Sequence, residues 1–213
     1  MDKLFTEGIY LIDKPAGRSS FSVVAEVRRK SGIKKVGHAG TLDPFATGLL
    51  IVLVGKEYTK KAGEFLKLDK TYEAEIDLSA FSSTGDPEGN LEQIECTVPN
   101  KDNVTDTLSK FVGPSMQKPH QFSAVKIEGQ RAYKLARAGK EVNLKQKPIE
   151  IYGIRLVEYD FPILKIETDV SSGTYIRVLA EDIGKALGCG GYLKALRRTK
   201  IDKYLICGAV KLD

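Results

Sequence analysis

Asp43 is the one carboxylate in the stretch Gly37-His38-Ala39-Gly40-Thr41-Leu42-Asp43-Pro44-Phe45-Ala46-Thr47-Gly48-Leu49-Leu50. Three glycines and a proline in that stretch imply a turning backbone rather than a helix. The stretch leads into Leu49–Val54, an apolar run of strand length. An aspartate so placed can bond its own backbone in an Asx-turn ahead of Pro44. Held by rigid neighbours, it can instead attack an electrophilic carbon or stabilise developing positive charge. A glycosidase that admits water ordinarily needs a second carboxylate, and none stands beside Asp43 in this loop. That favours rearrangement over hydrolysis, although acids distant in sequence can converge. His38, on the same loop, reads as a structural or surface group on residue type alone.

The chain around this loop has 213 residues, 42% hydrophobic and 29% charged, enough for one well-buried domain or two small ones. Lys plus Arg number 33 against 28 acids, a balance of +5 that permits a polyanionic partner without demanding one. Two histidines and three scattered cysteines (Cys96, Cys189, Cys207) give neither metal-ligand spacing nor a disulfide framework. The odd cysteine count fits a reducing cytoplasm. No apolar run reaches membrane-spanning length, and residues 1–15 lack a signal-peptide pattern.

Alternating and helical patterns supply the elements that must position Asp43. Gly8–Ile12 reads as a strand, and Ser19 or Ser20 caps a helix from about Phe21 to Lys30 that ends before Gly32. Arg28, Arg29 and Lys30 suit the negative end of that helix. Residues 55–69 read as a basic connection, and Lys70–Leu78 as a half-buried strand with Tyr72, Ala74, Ile76 and Leu78 on one face. Residues 79–100 read as loop, and a helix is expected from about Asn103 to Val112. Pro148–Glu158 and Ile163–Val170 read as strands. The helix after them carries Leu179, Ile183, Ala186 and Leu187 on one face. Tyr175 and Arg177, two apart at a strand end, are expected to point the same way. Leu205–Leu212 reads as a last strand.

The string around Asp43 resembles the catalytic loop of TruB-type tRNA pseudouridine synthases, the tRNA uridine-55 family, which carry G-H-x-G-x-L-D-P-x-A-T-G. Every specified position matches. The resemblance runs from about residue 8 to 200 with motifs in the family's order. Asp13-Lys14-Pro15-Ala16-Gly17-Arg18-Ser19-Ser20 is similar to the family's D-K-P-x-G-x-[ST]-S, which puts Lys14 in the substrate site floor. Lys70-Thr71-Tyr72 is similar to its K-x-Y, which makes Tyr72 the residue that packs on the uracil and a candidate for proton transfer. Gly173-Thr174-Tyr175-Ile176-Arg177 resembles a third motif, which implies that Arg177 pairs with Asp43 and Tyr175 lies near the flipped base. Leu196-Arg197-Arg198 is similar to the family's L-R-R, with Leu196 as an apolar contact to the base. By the same resemblance His38 enters the T-loop and stacks in place of displaced bases.

Two departures stand out. Ser83 occupies an aspartate position of T-D-T-x-D-x-x-G, although Thr84, Asp86 and Gly89 agree. His120 replaces a proline ahead of Gln121–Gly139, a segment that otherwise resembles the family's and in which Tyr133 and Ala136 are expected to pack a short helix. Lys126, Arg131 and Arg137 are candidate phosphate contacts. Arg28, Lys34 and Lys61 are expected to add salt-dependent affinity.

The resemblance implies an α+β fold, a mixed and largely antiparallel sheet with flanking helices around a central catalytic cleft. It implies a single catalytic pseudouridine synthase domain over 1–213, without the C-terminal PUA-type RNA-binding domain of longer members. Weaker and more salt-sensitive tRNA binding than in those members is expected. The partner is the T-arm and T-loop of tRNA, with a monomeric, cytoplasmic enzyme and no metal, cofactor or membrane. A tRNA-folding factor and a hydrolytic nucleosidase or base glycosylase are the competing readings; turnover separates off the first and the product the second.

Overall fold

The computed structural model describes residues 5–121, 126–127, 130–132 and 144–212. Its elements form two compact units, residues 1–73 with 195–213 and residues 74–194.

In the first unit β1 (Gly8–Lys14) leads into α1 (Ser20–Ser31). Ser19 caps α1 by accepting from the Ser22 amide, and Gly32 closes it at φ 70°. β2 (Val36–Ala39) and β3 (Thr47–Val54) follow. Two short helices, α2 (Lys56–Thr59) and α3 (Ala62–Leu66), then lead to β4, which begins at Lys70 and ends at Asp77 in the second unit. β1 pairs antiparallel with β3 from Gly8↔Val54 to Lys14↔Gly48. β2 pairs antiparallel with β3 from Val36↔Val54 to Ala39↔Ile51. β3 is the buried spine, and its two faces serve different clusters, as the two-residue period of a strand requires. Leu50, Val52 and Val54 pack with Val23, Val24 and Val27 of α1. Leu49, Ile51 and Leu53 pack with Ala39, Phe65 and Ile201.

In the second unit the strand ending at Asp77 is followed by a hairpin, β5 (Ala80–Ser82) and β6 (Leu91–Gln93), where the sequence reads as loop. These strands are three residues long, too short for an alternating pattern to register. Helix α4 (Lys101–Ser109) starts at an Asn100 cap. The expected extension to Val112 ends early, and β7 (Gly113–Gln117) begins instead. β8 (Lys126–Ile127) and β9 (Gln130–Arg131) form a small ladder. The side chains of Lys126 and Arg131, and all of Tyr133, Ala136 and Arg137, lie outside the described residues. β10 (Lys147–Asp160) pairs antiparallel with β7 and with β11 (Ile163–Val170). Helix α5 (Ile176–Ala186) follows. Arg177 therefore lies in a first helical turn with Tyr175 as the cap, so the strand-end argument for the two side chains does not apply.

β12 (Tyr192–Ile201) passes back into the first unit, a ten-residue strand whose sequence carries no strand-like alternation. It pairs parallel with β3 at Arg197↔Thr47 and Arg198↔Gly48. The expected last strand is broken into β13 (Tyr204–Leu205), a 3-10 turn (Ile206–Gly208) and β14 (Val210–Lys211).

The α+β class and the largely antiparallel pairing are as expected, with β1–β14 and β3–β12 as parallel pairs. The cysteine expectation is overturned. Cys96 and Cys189, with Cα atoms 5.2 Å apart, form a disulfide in the second unit, and Cys207 is free and exposed. A separation of 93 residues leaves no spacing signal for such a pair. Among the described residues no helix is long and apolar enough to cross a membrane.

Candidate active site

Asp43 is half-buried on the turn between β2 and β3, and the residues on either side of it are held at the backbone. The Ser20 hydroxyl donates to the Leu42 carbonyl at 3.0 Å and accepts from the Leu42 amide at 2.9 Å. The Pro44 carbonyl accepts from the Gly17 amide at 2.8 Å and from Lys14 Nζ at 3.2 Å. Within the loop the Ala46 amide donates to the Asp43 carbonyl at 3.1 Å. The end of β1, the turn after it and the start of α1 therefore fix the main chain before and after Asp43. That is the pre-organisation a single reacting carboxylate needs.

Lys14 is fully buried and also donates to Pro15 O at 2.9 Å and Arg18 O at 2.6 Å. Burial is the main reason its pKa falls to about 8; the Asp43 charge pulls it back up, and Arg18 and Arg198 push it down. Its three donors thus reach two carbonyls of the turn after β1 and one of the Asp43 loop. His38 sits on β2 rather than on a free loop, opposite Val52 of β3. Tyr72 is buried on the core side of β4, and the neighbouring Thr71 carbonyl accepts from the Thr199 hydroxyl at 3.4 Å. Lys70 donates to Leu66 O at 2.9 Å and also to Leu68 O; burial, then the Arg198 charge, lower its pKa to about 8. Leu196 is buried on β12, and its carbonyl accepts from Thr47 Oγ1 at 3.4 Å, next to the loop exit.

Tyr175 and Arg177 belong to the second unit. The Gln117 side chain clamps the Tyr175 backbone, accepting from its amide at 2.8 Å and donating to its carbonyl at 3.1 Å. Arg177 Nη1 donates to Thr84 O at 2.9 Å and to Asp86 Oδ2 at 3.2 Å. Asp86 Oδ1 in turn accepts from Thr84 Oγ1 at 2.5 Å and the Glu88 amide at 3.1 Å. Gly85 has φ 72°, and a Cβ there would stand 3.2 Å from Arg177 Cβ. The loop at 84–89 is thus a cradle for Arg177. Its signal was present in the sequence as Thr84, Asp86 and Gly89. His120 is pushed down to about 4, by burial first and then by Arg177, so it is neutral near pH 7.

Sequence reasoning also missed two polar groups that serve the Asp43 loop. Ser20 stands where the sequence offers a helix cap, but its hydroxyl is spent on Leu42. Arg198 carried no assigned role. It is buried, with Nε donating to Leu49 O at 2.7 Å and Nη2 to Gly40 O at 3.1 Å. Beside it, Arg197 makes a two-point pair with Asp13 at 2.9 and 3.1 Å.

Residues 28–176 match the TruB family pseudouridylate synthase N-terminal domain, and residues 177–213 match the tRNA pseudouridylate synthase B C-terminal domain. The tRNA pseudouridine synthase B of Protochlamydia amoebophila is 43% identical over 194 residues, covering 91% of this chain and 74% of that protein. The enzyme of the same name from Desulfotalea psychrophila is 46% identical over 202 residues, covering 92% and 82%. Among solved structures, a chain of a Cbf5-Nop10-Gar1 complex superimposes with a TM-score of 0.74 at 28% identity, over 96% of this chain. This chain spans about half, 52%, of that longer one.

Proposed function

The chain belongs to the TruB family of pseudouridylate synthases, and from that membership we propose that it isomerises the T-loop uridine of tRNA to pseudouridine, with Asp43 acting on the ribose. The observation that carries the reading is the Asp43 loop. The full family string lies on a turn whose Leu42 and Pro44 backbones are both held from outside the loop.

The chemistry balances without a redox partner. The bond from ribose C1′ to uracil N1 breaks, the base turns, and C5 joins C1′. C5 gives up its proton and N1 ends with one. The Asp43 carboxylate either attacks the sugar or stabilises its positive charge while the base is detached. A target inside a folded RNA loop must be flipped out to reach such a group. On the family resemblance, Tyr72, Tyr175 and Leu196 receive the base, His38 fills the space it leaves, Lys14 supports the floor and Arg177 keeps the Asp43 carboxyl ionised. Tyr72 also takes part in moving the C5 proton. The enzyme works as a monomer in the cytoplasm, engaging the T-arm largely through shape and phosphate contacts.

The test is tritium release from a tRNA transcript labelled at uridine C5, beside a transcript in which the T-loop uridine is cytidine. Release from the first and none from the second supports the reading. Equal release from both refutes the choice of target, and release from neither refutes the activity.

A further inference from the structure

Arg198 is the largest fully buried side chain among the described residues, 1% exposed. Its partners are two main-chain carbonyls rather than a carboxylate. A guanidinium so thoroughly removed from water is costly, and an apolar side chain of similar volume fills space at less cost. The two carbonyls it meets give the charge a purpose. Gly40 is the first residue after β2, and Leu49 is the third residue of β3, so the eight residues between them contain the Asp43 loop. One planar group therefore bonds both ends of that loop at 3.1 and 2.7 Å. Its main chain contributes as well. Arg198 pairs with Gly48, whose φ is 101°, and a side chain at Gly48 would run into the Arg198 carbonyl. The Arg198 charge is felt by Lys14 beneath the loop and by Lys70 on β4, where it adds to burial in lowering both pKa values.

We propose that Arg198 is a positioning residue for catalysis, a rigid fork that fixes the separation of the two ends of the Asp43 loop and so aims the carboxylate at the sugar. The proposal rests on Asp43 being the reacting group. Arginine is needed because its donors diverge in one plane; a lysine ammonium on a flexible stem can satisfy one carbonyl but cannot hold both in register.

Arg198→Met and Arg198→Lys test this in the full-length chain. Single-turnover tritium release measures the chemical step, and filter binding of the same tRNA measures affinity. Arg198→Met is expected to slow turnover about 100-fold, the scale of a loop displaced by about 1 Å. Arg198→Lys is expected to recover part of that, remaining about tenfold slower than wild type. Both are expected to bind tRNA within about threefold of wild type, because loop aim changes the chemical step rather than the docking surface. Wild-type turnover in both variants overturns the proposal. So does a loss of affinity in proportion to the loss of rate, the signature of general collapse. Should Arg198→Met fail to fold, Arg198→Lys decides alone by the same criteria. If wild type itself releases no tritium, the enzymatic reading falls and takes this proposal with it. Wild-type turnover with unimpaired variants removes this proposal only.

Discussion

Removing the Asp86 carboxylate tests how Arg177 is held. Both side chains are 6% exposed, and Asp86 accepts three hydrogen bonds, from Arg177 Nη1, Thr84 Oγ1 and the Glu88 amide. Hydrogen bonds to a charged group are worth about 1.5–3 kcal/mol each. The simple sum overstates the loss in Asp86→Ala, since Arg177 Nη1 keeps Thr84 O at 2.9 Å and the Glu88 amide lies on a solvent-facing loop. A loss of about 3 kcal/mol remains, which lowers Tm by about 6–12 °C for a chain of this size. Asp86→Asn keeps an acceptor for Thr84 and Glu88 but removes the charge and turns its NH2 toward Arg177 Nη1, so its loss is about 2 kcal/mol and about 4–8 °C. Thermal melts by circular dichroism at pH 7 measure both, and tritium release measures the consequence for Arg177. Turnover is expected to fall further in Asp86→Ala than in Asp86→Asn. An Asp86→Ala protein that melts within about 2 °C of wild type, with normal turnover, refutes the view that this cradle holds Arg177.

Other perturbations follow from the same geometry. Ser20→Ala removes both bonds to Leu42, and is expected to cost about 1–3 kcal/mol in a urea melt and to slow turnover more than it weakens tRNA binding. Lys14 has a folded pKa of about 8 against 10.5 ordinarily, so between those values the native state holds fewer protons than the unfolded one. Stability from this group therefore rises with pH across that window. Deprotonation also removes one of the three hydrogens that Lys14 shares among the Pro15, Arg18 and Pro44 carbonyls, so the chemical step is expected to slow above pH 8, a decline that Lys14→Met should erase from the pH–rate profile. His120, lowered to about 4 from 6.5, gives stability that is lost as pH falls through that range, and His120→Asn is expected to flatten the acid side of a melt series. Reducing the Cys96–Cys189 bond opens a loop of 93 residues and is expected to cost about 4.6 kcal/mol by chain entropy, with thiol titration rising from one group to three.

The strands and helices that were legible in the sequence are those whose burial repeats with a simple period. β4 alternates cleanly, and α1 carries its cap, its valine face and its closing glycine within residues 19–32. β12 was not legible because its exposed and buried positions fall irregularly and two arginines interrupt the apolar pattern. One of those arginines is buried against carbonyls, a contact that no local pattern encodes. The placement of His38 on β2 was obscured for a similar reason, since glycines on both sides suggested a loop while the ladder to β3 supplied the order. Asp43 stood out by its motif, but what holds it did not. Ser20, Gly17 and Lys14 are separated from it by more than twenty residues, and hydrogen bonds across that distance leave no trace in composition or spacing. The disulfide is the same case in a covalent bond.

The central claim is that Asp43 converts uridine to pseudouridine in tRNA, and nucleoside analysis of digested transcript tests it most directly. Wild type and Asp43→Asn are incubated with the same unmodified tRNA. The account predicts pseudouridine from wild type, none from the variant, and tRNA binding by both. Free uracil from wild type, or pseudouridine from Asp43→Asn at the wild-type rate, contradicts it.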